Sequence, residues 1–316
     1  MNTYTTERIH RSLVVCRVNF EGPSNPFYAN LQSDWHWDNP KCLRKILRKH
    51  LEEAKKKNAP IFLNGDIFCA MQGKGDPRGS KSDIREEHNK ADYLNALVNT
   101  AAEWMAPYAS NIVAIGEGNH ETAVLKNKEF SLIPALVGAL NAKTGSNIHA
   151  MGYGYWVKFK LNLANTRGSI NTYITHGSGG GGPVTKGVIQ TNRRAVYLPD
   201  ANYIVSGHVH EGYAVPIPRF RLSQYDRVYH DTAWHLCTPT FKEEFSDNTG
   251  GFHTERGRPP KPIGSYDIEM WAKNDSFKHR PLANIESNMD ATVKTGEDTR
   301  EMSKYNDEGP KEESGN

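Results

Sequence analysis

Three observations predict an α/β fold for this 316-residue chain. Short apolar runs recur, each followed by polar residues and then by an amphipathic stretch. Most of these runs end in Gly, Asp, Asn or His rather than in a hairpin signal, which suits strands joined through helices. The chain is 37% hydrophobic and 24% charged, enough apolar mass for a sizeable core.

The elements follow in order. Asn25 to Gln32 reads as a strand entering Ser33-Asp34-Trp35-His36. Pro40 then opens a helix with Asp38 or Asn39 as its cap, and Leu43, Ile46, Leu47, His50, Leu51 and Ala54 fall at helical spacing. Pro60 stops it, and Ile61-Phe62-Leu63 starts a buried strand ending at Asn64-Gly65-Asp66. A Gly- and Lys-rich loop precedes a long predicted helix from about Ser82 to Met105. Ile112 to Ile115 is a strand running into Gly118-Asn119-His120-Glu121, and a helix follows over about 128–142. Tyr155, Val157, Phe159, Leu161 and Leu163 alternate with polar partners as a half-buried strand does. Two short strands end at Thr175-His176 and Ser206-Gly207, with a helix starting near Thr185 between them. Beyond Gly212 come short β-like runs such as Tyr229 to Leu236, and 248–262 reads as loop.

The organisation expected is one domain over 1–285, its motifs within 27–212 and a β-rich part over 213–285, then an acidic, disordered tail over 286–316. The tail holds 9 acidic and 4 basic side chains, which leaves 35 basic against 27 acidic elsewhere. That body, at about +8, suits a phosphate-bearing substrate, although many enzymes are as basic. No apolar run approaches the roughly 18–20 residues a membrane span needs. Arg17 cuts short the only apolar stretch near the N-terminus that a secretion signal would use. Cys16, Cys42, Cys69 and Cys237 form no C-x-x-C pair. Reduced thiols and a cytoplasmic location are expected, with no membrane partner.

The informative feature is where metal-binding residue types fall. Asp34 and His36, Asp66, Asn119 and His120, His176, then His208 and His210 all stand at the ends of predicted strands. An open α/β sheet places its crevice at those ends. Imidazole, carboxylate and amide without thiolate suit Mn, Fe, Zn or a mixed pair.

The order D-x-H, G-D, G-N-H-E, H-G, G-H-x-H resembles the calcineurin-like metallophosphoesterase superfamily. It is carried here by Asp34-Trp35-His36, Gly65-Asp66, Gly118-Asn119-His120-Glu121, His176-Gly177 and Gly207-His208-Val209-His210. The resemblance implies two packed β-sheets flanked by helices, the four-layer sandwich of that superfamily. It implies a first metal held by Asp34, His36 and His210, a second held by Asn119, His176 and His208, and Asp66 bridging them. Positions would remain for a bridging hydroxide and a phosphate oxygen. Mn is the first expectation for the two divalent ions, with Fe, Zn, Ni or a mixed pair as alternatives. His120 would touch a phosphate oxygen or protonate the departing alkoxide.

Two departures narrow the expectation. Asp66 is followed by Ile67-Phe68-Cys69-Ala70-Met71, so the G-D-x-x-D-R-G of the protein phosphatases is missing, and with it the Asp that orients their histidine. Cys69 stands where the double-strand-break nucleases of the superfamily tend to carry a histidine. The glycine run from His176 to Pro183 lacks G-K-[ST] and is no P-loop. Lys74, Arg78 and Lys81, with Arg85 and His88 beyond them, and Arg193 and Arg194 on the helix near Thr185, are candidate contacts to a phosphodiester. Trp35 and Trp37 read either as base-stacking surfaces or as packing. The expected activity is hydrolysis of a phosphodiester in a nucleotide or nucleic acid; a phosphomonoesterase, or a non-catalytic metal-binding scaffold on the same fold, are the alternatives.

Overall fold

In the computed structural model two mixed β-sheets pack face to face between helices. It describes residues 2–72, 79–80, 83–180, 182, 184–245, 257–273 and 276–286. The chain begins with β1 (Thr3–His10) and β2 (Leu13–Asn19), a hairpin the sequence reading left unassigned. Then come β3 (Phe27–Gln32), α1 (Arg44–Lys56), β4 (Ile61–Asn64), α2 (Tyr93–Met105), β5 (Ile112–Gly116), α3 (Asn119–Lys128) and α4 (Leu132–Thr144). Next are β6 (His149–Ala150), β7 (Gly154–Leu163), β8 (Thr166–Thr175), α5 (Val188–Tyr197) and β9 (Tyr203–Ser206). Two hairpins finish it: β10 (Tyr213–Leu222) with β11 (Val228–Cys237), and β12 (Gly264–Lys273) with β13 (Ser276–Ile285).

One sheet runs β13-β12-β3-β4-β5-β6, the other β1-β2-β7-β8-β9-β11-β10. β3, β4, β5 and β6 are parallel, as are β8, β9 and β11. Alternation along β4 shows how the layers form. Ile61 and Leu63 face the helical layer, packing with Leu47 and Leu51 of α1, Leu97 of α2 and Leu136 of α4. Phe62 faces the other sheet and meets Phe159 of β7 edge to face at 5.8 Å. A small third cluster, Leu198, Ala201 and Ile204, seats the end of α5 on the far side of the seven-stranded sheet. Helices, sheet, sheet and helix make four layers.

Several predicted boundaries move. The helix expected from Pro40 starts at Arg44, because Asp38 turns inward to accept from the amides of Cys69 (2.6 Å) and Ala70 (2.9 Å) instead of capping it. The single helix expected over 82–105 becomes a short 3-10 turn at Glu86–His88 and then α2. The helix expected over 128–142 is α4, which starts four residues late at Leu132; α3, which the sequence reading did not assign, precedes it and ends where Glu129 adopts a left-handed conformation (φ 56°). Among the described residues no helix is long and apolar enough to cross a membrane.

Candidate metal centre

The parallel strands aim their carboxyl ends at one place. Asp34 lies two residues beyond β3, Asp66 two beyond β4, Asn119 three beyond β5, His176 one beyond β8 and His208 two beyond β9. The two sheets are tied together there: Asn64 donates to the carbonyl of Thr175 (2.8 Å), and His176 Nδ1 lies 2.8 Å from the carbonyl of Asn64. The loops are also laced by backbone bonds, from Asp34 to Gly65 (3.1 Å), His36 to Asp66 (3.0 Å) and Gly207 to His176 (3.0 Å).

Five of the predicted ligands have left-handed backbone: Asp34 (φ 52°), His36 (46°), Asp66 (49°), His208 (72°) and His210 (56°). Side-chain-bearing residues avoid that region unless their surroundings hold them there, and such strain gathers at functional sites. Two glycines make room. A Cβ on Gly118 would collide with the Asp66 carboxylate, and one on Gly207 with the carboxylate of Asp34.

The predicted ligands converge in two clusters. Asp34, His36 and His210 form one, with His36 Nε2 3.1 Å from His210 Nε2 and His210 Nε2 3.3 Å from Asp34 Oδ1. Asp66, His176 and His208 form the other, with His176 Nε2 3.1 Å from Asp66 Oδ2. Asn119 Oδ1 joins the second, 3.1 Å from His176 Nε2 and 2.7 Å from His208 Nδ1. The clusters adjoin, since His176 Nε2 is also 4.0 Å from Asp34 Oδ1. Donor atoms bound at about 2.1 Å to one cation sit roughly 3.0–3.4 Å apart, so these spacings and this nitrogen–oxygen donor set fit divalent ions.

The electrostatics agree. Burial opposes charge on His176, yet Asp66 and Asp34 outweigh it and raise its pKa to about 10. Burial likewise opposes charge on Asp66, but His176 and His120 hold its carboxyl well below the usual range. These shifts favour an ion pair between His176 and Asp66, and a metal ion would compete with its proton. His36 is driven the other way, first by burial and then by His120 and His210, and stays neutral with a free lone pair.

Around the clusters is a set of residues that fix them. Ser33 Oγ donates to Asp34 and lies 2.6 Å from Thr238 Oγ1. The backbone amide of His208 donates to both Asp34 oxygens at 3.2 and 3.0 Å. Cys69 Sγ lies 3.2 Å from His36 Nδ1, and burial raises its thiol pKa well above normal, so it stays a neutral partner of the imidazole. Glu121, the last residue of G-N-H-E, accepts from the amides of Asp66 (3.0 Å), Phe68 (3.0 Å) and Gly118 (2.8 Å), clamping the β4 and β5 loops together. Burial and the Asp66 carboxylate push its pKa up. Glu121 has a place in G-N-H-E but no role legible from it; Asp38 reads only as a helix cap, and Ser33 and Thr238 belong to no motif.

His120 is oriented by a backbone group. Its Nδ1 lies 2.7 Å from the carbonyl of Cys69, so Nδ1–H donates there and Nε2 is turned to the cleft, 3.8 Å from Asp66 Oδ2. The side chain is 15% exposed, at the rim of the cluster with the partly buried Asn119 and His208. The carboxylate that the protein phosphatases would use is therefore replaced by a peptide oxygen.

The expected substrate contacts divide. Lys74, Arg78 and Lys81 lie outside the described residues. Arg85 is buried and donates to the carbonyls of Asn39 (3.1 Å), Pro40 (3.2 Å) and Cys42 (3.2 Å), which is a structural task. His88 is buried against Thr100 (3.0 Å). On α5 Arg193 faces solvent, whereas Arg194 is buried. The stacking reading of Trp35 and Trp37 is overturned: both are buried and pack on Trp104 at 6.2 and 6.0 Å. The guanidinium of Arg44 covers Trp37 at 3.8 Å.

A two-sheet sandwich with this ligand order at its strand ends is the arrangement that the resemblance to the calcineurin-like metallophosphoesterases implies. No protein-family model matches the sequence, and no curated protein matches it significantly. Several solved structures are similar in outline. One is a conserved protein from Streptococcus pneumoniae TIGR4, described as a predicted phosphoesterase, at 13% identity over 82% of this chain and 90% of that one, with a TM-score of 0.29. Vacuolar protein sorting 29 from Cryptosporidium parvum matches at 13% identity over 83% and 100%, TM-score 0.33. Wild-type Vps29 from Entamoeba histolytica, complexed with zinc, matches at 10% identity over 81% and 99%, TM-score 0.30. Likenesses at these scores carry no weight for function; the site's own geometry does.

Proposed function

We propose that this chain is a dimetal-dependent phosphoesterase, and that its substrate is a phosphodiester in a nucleotide or nucleic acid. The convergence of Asp34, His36, Asp66, Asn119, His176, His208 and His210 at one edge, in two adjoining clusters, carries the reading. Asp34, His36 and His210 would hold one ion. Asn119, His176 and His208 would hold the other, with Asp66 shared. Mn is the first candidate for both, from the donor set. Bound there, two divalent ions supply Lewis acidity toward a phosphoryl oxygen and an activated water at neutral pH.

The chain's own residues do the rest. The carbonyl of Asn64 fixes His176 with Nε2 toward the centre, and Cys69 does the same for His36. Glu121 keeps Asp66 and Gly118 in register, so the shared carboxylate does not drift between sites. His120 holds a proton on Nε2 at the open rim and passes it to the leaving oxygen as the P–O bond breaks, while its Nδ1–H stays on Cys69. Burial of Asp34, His36, Asp66, His176 and His210 keeps bulk water from diluting these charges.

The deciding measurement is hydrolysis of bis(4-nitrophenyl) phosphate by protein stripped with chelator and reloaded with Mn²⁺. Turnover should be absent without metal and return with two ions per chain. Asp66→Asn should lose more bound metal than His36→Ala, because it takes charge from both sites. Full metal content and turnover in Asp66→Asn would refute the shared role, and two bound ions without turnover on any phosphate ester would favour a scaffold.

A further inference from the structure

Beneath α5 lies a narrow cleft that the mechanism above does not use. It is lined by Ser178, Gly187, Gln190, Arg194, Gly207 and Tyr213, and of the roughly 240 Å³ of space there, which includes open solvent, it leaves room for about one water-sized atom. Its lining includes Ser178 and Gly207, which lie within two residues of His176 and His208 of the second cluster. Arg194 reaches in from the helix. Its exposure is 8%, and the guanidinium Nη2 lies 3.2 Å from where a Cβ of Gly177 would stand. Any other side chain at Gly177, whose φ is 97°, would be strained as well as crowded there.

This guanidinium has no side-chain hydrogen bond and no ion pair among the described residues. His235 of β11, which feels the charge of Arg194, is 1% exposed, and both its ring nitrogens are buried without a hydrogen-bond partner. Burial and then the positive charge of Arg194 drive His235 to its neutral form. A largely buried guanidinium without a carboxylate or a row of carbonyls, such as Arg85 has, is an expensive arrangement for folding alone. Five forked donors in a slot one oxygen wide match an anionic oxygen of a phosphoryl group.

We infer that Arg194 and the Gly177–Ser178 turn form a subsite for a second phosphoryl group of the substrate, beside the one held at the metal centre. The inference rests on the phosphoesterase reading and narrows it: the substrate carries at least two phosphates close together, either across a sugar, as in a nucleotide chain, or in an anhydride. Arg193, one position along, points to solvent and has no part in it.

Two ligand pairs test this on the full chain loaded with Mn²⁺, by calorimetric titration. One is thymidine 5′-monophosphate against thymidine 3′,5′-bisphosphate, the other AMP against ADP. In at least one pair the doubly phosphorylated member should bind about tenfold or more tightly, the gain expected of one charge-assisted contact. The pair that shows the preference identifies the spacing. Arg194→Gln should abolish the preference, with a much smaller effect on the singly phosphorylated member. Arg194→Lys, which keeps the charge but not the fork and is the fallback if Arg194→Gln is poorly folded, should retain part of it. Equal affinity within both pairs, or a preference that survives both substitutions, overturns the subsite. Because the readout is a ratio of affinities, it stands if hydrolysis is absent, and loss of turnover on bis(4-nitrophenyl) phosphate would count against the phosphoesterase reading alone.

Discussion

His120 shows how far a single residue can be read. Its place in G-N-H-E marks it as a candidate acid, but the sequence names no partner for it, because the acid that orients the phosphatase histidine is absent. The partner is a backbone carbonyl, that of Cys69, and peptide oxygens leave no trace in side-chain identity. The two atoms come from residues 51 apart, one in the loop after β4 and one in the first turn of α3. A role in proton transfer predicts that His120→Asn keeps both metal ions and loses about 10²–10⁴ in turnover on alkyl esters. Nitrophenyl esters, whose leaving group needs no proton, should lose far less. Equal losses on both would make His120 a phosphate-oxygen contact, and loss of metal would make it structural. Cys69 illustrates the opposite case. The sequence presents it only as a missing histidine, yet its Sγ supports His36 and its carbonyl supports His120.

At the scale of elements, strand ends were easier to read than helix starts. β4 and β5 are four- and five-residue apolar runs closed by polar or glycine residues, and their ends lie within one residue of expectation. Helix starts moved because side chains that suit a cap found tertiary partners, as Asp38 did with Cys69 and Ala70. The β4 and β5 loops meet through two glycines. A Cβ at Gly65, whose φ is 80°, would lie 2.6 Å from the Gly118 nitrogen, and one at Gly118 would strike Asp66. Gly118→Ala should therefore cost about 1–3 kcal/mol, as overpacking does, and lower metal content along with activity. Gly138→Ala in α4, where a Cβ meets nothing within 4 Å, should be neutral or stabilising by up to about 1 kcal/mol. Thermal melts and metal analysis of the two variants check the contrast; similar behaviour in both would remove the packing argument.

For the whole molecule, buried neutral histidines set the response to acid. Burial, foremost, lowers the pKa of His88 and of His235 from the usual 6.5 to about 4. The unfolded chain takes up these protons below pH 6.5 while the folded chain does not until about pH 4. Across that window the unfolded state binds more protons, so stability rises with pH and is lost as pH falls. In chelator, where no metal masks the site histidines, Tm should drop steadily from pH 6.5 to 4. His88→Gln and His235→Gln should each reduce that slope. A Tm independent of pH over the window, or slopes unchanged in both variants, would contradict the assignment of neutral buried imidazoles.

The sequence by itself determined the alternation of strand and helix, and the order in which seven donor residues and His120 reach the strand ends. Apolar periodicity and motif spacing are local, and local order survives folding. Only the tertiary structure decided that the donors meet in two adjoining clusters, that Trp35 and Trp37 are core, and that Arg194 is buried while Arg193 is not. Those outcomes depend on which strands become neighbours. β2 pairs with β7 and β12 with β3, across about 140 and 240 residues, and a pairing of that range is chosen by the burial of whole faces. The edge strands β1 and β13 were not assigned by the sequence reading, although β13 lies in the part expected to be β-rich; neither holds a fully buried residue, so apolar alternation is weak until the sheet beside them exists.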